Sequence, residues 1–260
     1  MGGLKDNRIV RTFAELRQAG RKALLPFLTA GHPDLATTEA LLADFQRRGV
    51  RICELGLAFS DPIADGPVIQ SSYSQVLAAG VTVEGTLEAV RRYRASGGGM
   101  ALLAMVSYSI VFRRGPAAFC AEAAAAGFDG LIIPDLPLEE AGGIEPHADA
   151  AGLANVLLVA PTTPPDRRLE IARRSRGFIY FVSVAGITGE RDRLPQTTLA
   201  AVAELRRHAE TPVCVGFGIS RPETVAEVCR AADGAIVGSA IVHRIADAAA
   251  QSLPQEKIIR

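Results

Sequence analysis

The sequence predicts an α/β fold, a (βα)8 TIM barrel closed from eight parallel strands. Short apolar runs alternate with helix-period segments along almost the whole chain, as expected for a parallel sheet built from βα units. Eight such runs, each followed by a helical segment, close a barrel better than they fit an open doubly wound sheet. The length of 260 residues suits one such barrel, for which ~250 residues is typical.

In chain order, Thr12 to Gln18 reads as a short helix covering the N-terminal face. Strands are expected at Ala23 to Leu28, Ile52 to Leu55, Ala101 to Val106, Gly130 to Ile133, Asn155 to Val159, Phe178 to Val182, Val213 to Gly216 and Ala235 to Val237. Helices are expected at Leu35 to Arg48, Val68 to Ala79, Thr86 to Ala95, Pro116 to Ala126, Leu138 to Ala151, Pro165 to Ser175, Thr198 to His208, Arg221 to Ala231 and Ser239 to Gln251. Two of them fall between the second and third strands, so the second βα unit carries an extra helix. Ser96-Gly97-Gly98-Gly99 is short enough to be a turn, and no compositional shift divides the chain. Residues 1–260 are therefore expected to form a single domain.

Composition narrows the function. Lys plus Arg equals Asp plus Glu at 28 each, so no overall field draws nucleic acid or an anionic membrane, and any phosphate recognition must be local. An apolar fraction of 48% supplies a sizeable core. Cys53, Cys120, Cys214 and Cys229 lack CxxC spacing and read as small hydrophobes; the four scattered histidines lack ligand spacing, so no metal site is expected. No apolar run reaches the ~18 to 20 residues of a membrane span, and the start lacks a signal-peptide core, which makes the cytoplasm the expected location.

The chemistry concentrates after the second strand. Strand side chains alternate, so if Ile52 points into the barrel, Glu54 does too. A carboxylate among apolar neighbours is either a core group tied to an arginine or amides, or one whose raised pKa suits proton transfer. Asp61, before Pro62, reads as turn chemistry, and Asp65-Gly66-Pro67 as a turn into a helix with Pro67 in its first turn. Active sites of such barrels form from the loops at the C-terminal ends of the strands, where both Glu54 and Asp65 can reach one pocket.

Gly216-Phe217-Gly218 after the seventh strand and Val237-Gly238-Ser239 after the eighth stand where these barrels frequently bind phosphate. Their glycines permit close backbone approach, and a helix start supplies N–H donors without any cationic side chain. After the sixth strand, residues 183–193 read either as a mobile lid or as an ordinary surface loop.

Separated segments point to one family. They are Leu25 to Asp34, Glu54 through Phe59-Ser60-Asp61-Pro62 to Gln70, Ile133 to Glu140, Phe178 to Gly189, Gly216 to Ser220 and Val237 to Ala240. Their order and spacing resemble the tryptophan synthase alpha subunit over essentially the entire chain. The resemblance implies a lyase that cleaves indole-3-glycerol phosphate to indole and glyceraldehyde 3-phosphate in tryptophan biosynthesis. It implies no cofactor in this chain, and a beta subunit carrying pyridoxal phosphate (PLP) that receives indole within an α2β2 heterotetramer. It implies Glu54 as the acid/base at indole C3 and the glycerol hydroxyl, and Asp65 as acceptor of the indole N–H. Tyr180 would border the indole and support Glu54, and Phe27 would form an apolar wall. Gly189, Gly218, Gly238 and Ser239 would hold the phosphate, Thr188 would belong to the lid, and Asp61 and Ser109 would face the partner.

Two positions depart from the family's pattern: Ala58 replaces a usual Pro, and Ser107-Tyr108-Ser109-Ile110 replaces a Tyr-Tyr-Asn-Pro type of phrase. Both bear on coupling to the partner. Beside the subunit reading stands a stand-alone lyase that releases free indole. Glu54, Asp65 and Tyr180 together argue against a subunit that mainly activates its partner, and the motif from Glu54 to Gln70 argues against a sugar-phosphate isomerase.

Overall fold

Apolar alternation becomes nine parallel strand segments among the described residues of a computed structural model, which describes residues 4–63, 65–183, 194–251, 253 and 255–259. The strands are β1 (Ala23–Thr29), β2 (Ile52–Gly56), β3 (Ala101–Met105), β4 (Gly130–Ile132), β5 (Ala154–Val156), β6 (Leu158–Val159), β7 (Ile179–Val182), β8 (Val213–Gly216) and β9 (Gly234–Val237). Their order is β5-β4-β3-β2-β1-β9-β8-β7-β6. The two outermost segments, β5 and β6, are separated in the chain only by Leu157, so together they form the fifth stave and close the barrel. β5 pairs with β4 and β6 pairs with β7, which is why the single run expected from Asn155 to Val159 is divided.

The sheet separates two apolar clusters. Inside lie Leu25, Phe27, Ile52, Leu103, Met105, Phe178, Tyr180 and Ile236; outside, between strands and helices, lie Leu28, Cys53, Leu55, Leu102, Phe119 and Phe181. The two-residue period of the strands sorts neighbouring residues into opposite layers. Because Ile52 belongs to the inner cluster, Glu54 shares the interior face, as the alternation predicts.

The N-terminal helix is longer than expected, Arg8–Gln18, because Asn7 caps it by accepting a hydrogen bond from the Ile9 amide at 2.9 Å. Asn7 Nδ2 also donates to the carbonyls of Asp129 and Gly152, at 2.7 and 2.9 Å, pinning the helix across the barrel floor. Ile9, Phe13 and Leu16 enter the inner cluster, and the rings of Phe13 and Phe178 stand 5.8 Å apart.

The extra helix after β2 is present: Pro67–Ala78 and Val83–Ala95 both precede β3. Pro67 opens the first, and Thr82 caps the second by accepting from Gly85 N. The expected helix from Leu138 to Ala151 is instead a 3-10 turn, Ala141–Gly143, followed by Glu145–Ala151, because Gly142 and Gly143 weaken it and Pro146 suits only a helix start. Two short helices, Tyr108–Arg114 and Gln255–Ile259, were not expected from the sequence. No helix among the described residues is long and apolar enough to cross a membrane.

Candidate active site

Glu54 has no exposed surface, and both of its carboxyl oxygens lack a hydrogen-bond partner among the described residues. On the neighbouring strands it stands opposite Phe27 and Leu103. The reading of Glu54 as a core carboxylate tied to an arginine or to amides is therefore not met. Burial pushes its carboxyl well above the usual carboxylate range, since the charged form is left without solvent or a cation.

Asp65 sits half-buried in the loop after β2, two residues before Pro67 opens the helix. Gln70 holds this loop: its Nε2 donates to the carbonyls of Asp65 and Pro62, at 2.8 and 3.2 Å, and the Asp65 amide donates to Pro62 O at 3.0 Å. Burial raises the Asp65 carboxyl to about 6. Two carboxyls in one region, pushed to different extents, divide the roles of proton donor and anion near neutral pH.

The strand ends enclose a cavity of about 520 Å³, partly open to solvent. Phe27, Ile69, Met105, Tyr180, Phe217 and Ile236 give it an apolar wall; Asp65 stands on one side, and Gly218, Gly238 and Ser239 on another. Glu54 does not reach its surface, but its neighbour Phe27 does, and the Glu54 charge acts on Tyr180, whose hydroxyl is pushed well up by burial.

Gly238 precedes the helix Ser239–Ala250; the Ile241 and Val242 amides donate to Gly238 O, which leaves the amides of Ser239 and Ala240 available as donors. Phe217 and Gly218 have φ of 71° and 73°, a left-handed pair that turns the chain sharply after β8. Ser183 secures that turn: its Oγ donates to Phe217 O, and its amide donates to Gly216 O at 3.0 Å. Phe217 also packs edge-on against Tyr180, with ring centroids 5.8 Å apart.

The structure thus brings together Phe27, Asp65, Tyr180, Gly218, Gly238 and Ser239, with Glu54 behind them. Thr188 and Gly189 lie outside the described residues. Asp61 and Ser109 are exposed and line a second cleft of about 890 Å³, which shares Asp65 and Met105 with the first. Sequence reasoning missed Met105, Tyr73 and Phe217. Met105 was within reach of the alternation argument, since it shares the inward parity of Ala101 and Leu103. Tyr73 was signalled by its i,i+4 spacing from Ile69 on one helix.

One glycine has a different role from the expected one. Gly216 was grouped with the phosphate loop, but a Cβ there would lie 2.3 Å from the Tyr180 hydroxyl, so it makes room for that ring. Neither cleft is lined by Lys, Arg or His among the described residues, nor do these contain a cluster of three or more His, Cys, Asp or Glu able to hold a metal ion.

Comparison with known proteins points to one family. The family described as tryptophan synthase alpha chain matches residues 13–258. The chain is 48% identical to the tryptophan synthase alpha chain of Rhodopirellula baltica, over 91% of this chain and 86% of that one. To that of Prochlorococcus marinus it is 47% identical, over 94% and 89%. Among solved structures, tryptophan synthase subunit alpha from Legionella pneumophila superposes with a TM-score of 0.89 at 33% identity, covering 97% of this chain and 94% of that one. A chain of Mycobacterium tuberculosis tryptophan synthase superposes with a TM-score of 0.87, also at 33% identity, covering 97% and 94%. On its sequence, its barrel and the residues gathered at its strand ends, the chain belongs to the tryptophan synthase alpha chain family.

Proposed function

We propose that Glu54 and Asp65 cleave indole-3-glycerol phosphate to indole and glyceraldehyde 3-phosphate, the lyase reaction of the family, in L-tryptophan biosynthesis. The observation that carries this reading is the pair itself: a half-buried carboxyl that lines the apolar cavity and a fully buried, unpartnered one behind its wall, beside Phe27. Glu54, kept protonated by burial, donates its proton to indole C3. Asp65, ionised above about pH 6, accepts the indole N–H and stabilises the positive charge that develops on the ring. Glu54, now a carboxylate, takes the proton of the adjacent glycerol hydroxyl; the C–C bond breaks, its electrons return to the ring, and the aldehyde forms. The proton count closes with Glu54 protonated again. Since Glu54 has no exposed surface, its side chain must turn toward the cavity, or the wall must part, once substrate is bound.

Phe27 and Tyr180 enclose the indole, and Gly218, Gly238 and Ser239 receive the phosphate together with Gly189. Thr188 belongs to the segment that closes over it. Backbone amides at a helix start suit a dianion in a wall that lacks cationic side chains. The family implies a beta-subunit partner, and the assembly is an α2β2 heterotetramer in the cytoplasm. Asp61 and Ser109 face the partner, which carries the PLP, while this chain works without a cofactor. The deciding experiment measures turnover of indole-3-glycerol phosphate by the chain alone and with a beta subunit. Indole release that the partner accelerates is the expected result; absence of cleavage in both would overturn the reading.

A further inference from the structure

Tyr73 is a buried hydroxyl that the mechanism above leaves unused. It belongs to the helix Pro67–Ala78, yet it packs in the cluster inside the barrel and is 4% exposed. Its hydroxyl stands over Gly56, where a Cβ would be 2.5 Å away. Gly56 lies two residues beyond Glu54 on the same face of β2, so this hydroxyl is one pleat nearer the strand end than Glu54.

Tyr73 and Asp65 line the same cleft, and the loop carrying Asp65 runs directly into the helix carrying Tyr73. Gln70, on that helix, ties the backbone of the loop back to it through Asp65 O and Pro62 O. Among the described residues Tyr73 Oη makes no hydrogen bond, and it is not among the fully buried unpartnered atoms, so it opens on the cleft that Tyr73 and Asp65 line together.

We propose that Tyr73 is a positioning residue whose hydroxyl donates a hydrogen bond to one Asp65 carboxylate oxygen, leaving the other to accept the indole N–H. The inference rests on the function proposed above and adds a residue to it. Asp65 is faced by Tyr73 from its own helix, by Glu54 from β2 and by Tyr180 from β7, while Asp61 and Asp135 line the cleft beside it. No cation in either cleft wall can hold the anion among the described residues, so a neutral donor must do so. The two tyrosines divide the work. Burial raises both hydroxyls; the next contribution for Tyr73 is the Asp65 charge and for Tyr180 the Glu54 charge.

The test compares Tyr73→Phe, Tyr180→Phe, Asp65→Asn and the double variant Tyr73→Phe/Asp65→Asn, assayed with the beta subunit across pH. Tyr73→Phe should lower kcat/KM about tenfold, the loss of one hydrogen bond to a charged group. It should also move the acidic limb of the profile upward by about half a unit or more, because the anion loses a donor. Carboxyl NMR of Asp65 should show the same displacement without reference to turnover. Tyr180→Phe should leave the acidic limb in place, and the double variant should be no slower than Asp65→Asn. Thermal unfolding confirms that the variants are folded. An unmoved Asp65 titration in folded Tyr73→Phe, or a double variant that loses the product of both single effects, would overturn the inference while wild-type turnover still upholds the reaction. A wild-type chain that fails to cleave the substrate overturns both.

Discussion

Two of the three buried acidic residues among the described residues, Asp129 and Glu54, are treated in opposite ways. Asp129, just before β4 at the N-terminal end, is 5% exposed and fully engaged. Its Oδ1 accepts from Arg8 at 2.8 Å, and its Oδ2 accepts from Arg94 at 2.8 Å and from the Leu102 amide at 2.9 Å. Arg94 in turn donates to the carbonyls of Gly98, Met100 and Gly127. Glu54, in β2, is 0% exposed and engages no polar group among the described residues. Both carry the desolvation cost of burial, but only Asp129 recovers it through charge-assisted hydrogen bonds. One end of the barrel uses a buried acid to fasten the fold, and the other leaves one without a hydrogen-bond partner among the described residues.

The sharpest way to break this contrast is to truncate each acid. Asp129→Ala leaves Arg94 buried without its anion and should destabilise the chain by about 3 to 5 kcal/mol in urea unfolding. Its kcat per folded molecule should stay near wild type. A stability loss below about 1 kcal/mol would show that Arg94 is held by its carbonyl partners alone.

Glu54→Gln should do the reverse, lowering kcat by at least ~100-fold while raising stability. The folded-state pKa of Glu54 lies above its unfolded value, so the folded state holds more protons and wild-type stability falls as pH rises past the ordinary glutamate range. The stability advantage of Glu54→Gln should therefore widen between about pH 5 and pH 8. Asp65→Asn should cut kcat similarly, and wild-type kcat/KM should lose activity below about pH 6 as Asp65 protonates. A profile flat to pH 5 would remove Asp65 from the role of anion.

A smaller effect is expected from Gly216→Ala, whose added Cβ meets the Tyr180 hydroxyl at 2.3 Å. Moving that ring should cost about 1 to 3 kcal/mol and lower kcat, whereas Gly99→Ala, with no atom within 4 Å, should be neutral. Equal behaviour of the two variants would mean that Tyr180 yields freely.

The smallest change concerns the partner. The amide of Ala58 makes no backbone hydrogen bond among the described residues, so a proline there sacrifices none. Ala58→Pro with Ser109→Asn should strengthen activation by a beta subunit a few-fold, read as the ratio of turnover with and without it. An unchanged ratio would make both departures neutral.

Much of this contrast was legible in the residues. The alternation at Ile52 and Glu54 placed the acid inside, and the eight apolar runs fell on the eight staves, because the two-residue period is set by backbone geometry alone. What stayed hidden depends on distant partners. Nothing local distinguishes Asp129, which meets arginines from two other segments, from a surface aspartate. Tyr73 belongs to an outer helix, and only tertiary packing turns it into the barrel. The break at Ala141–Gly143 was available in Gly142, Gly143 and Pro146, but the apolar period on either side masked it.

The space above Gly216 ties the identity of one strand to the size of a side chain on the next. The three nearest atoms that a Cβ at 216 would meet all belong to Tyr180. Selection on position 216 is therefore conditional: a lineage that exchanges Tyr180 for a shorter residue releases 216 to vary, and one that retains the ring does not. The order of substitutions is constrained in the same way, since a larger residue at 216 is tolerated only after the aromatic has shrunk.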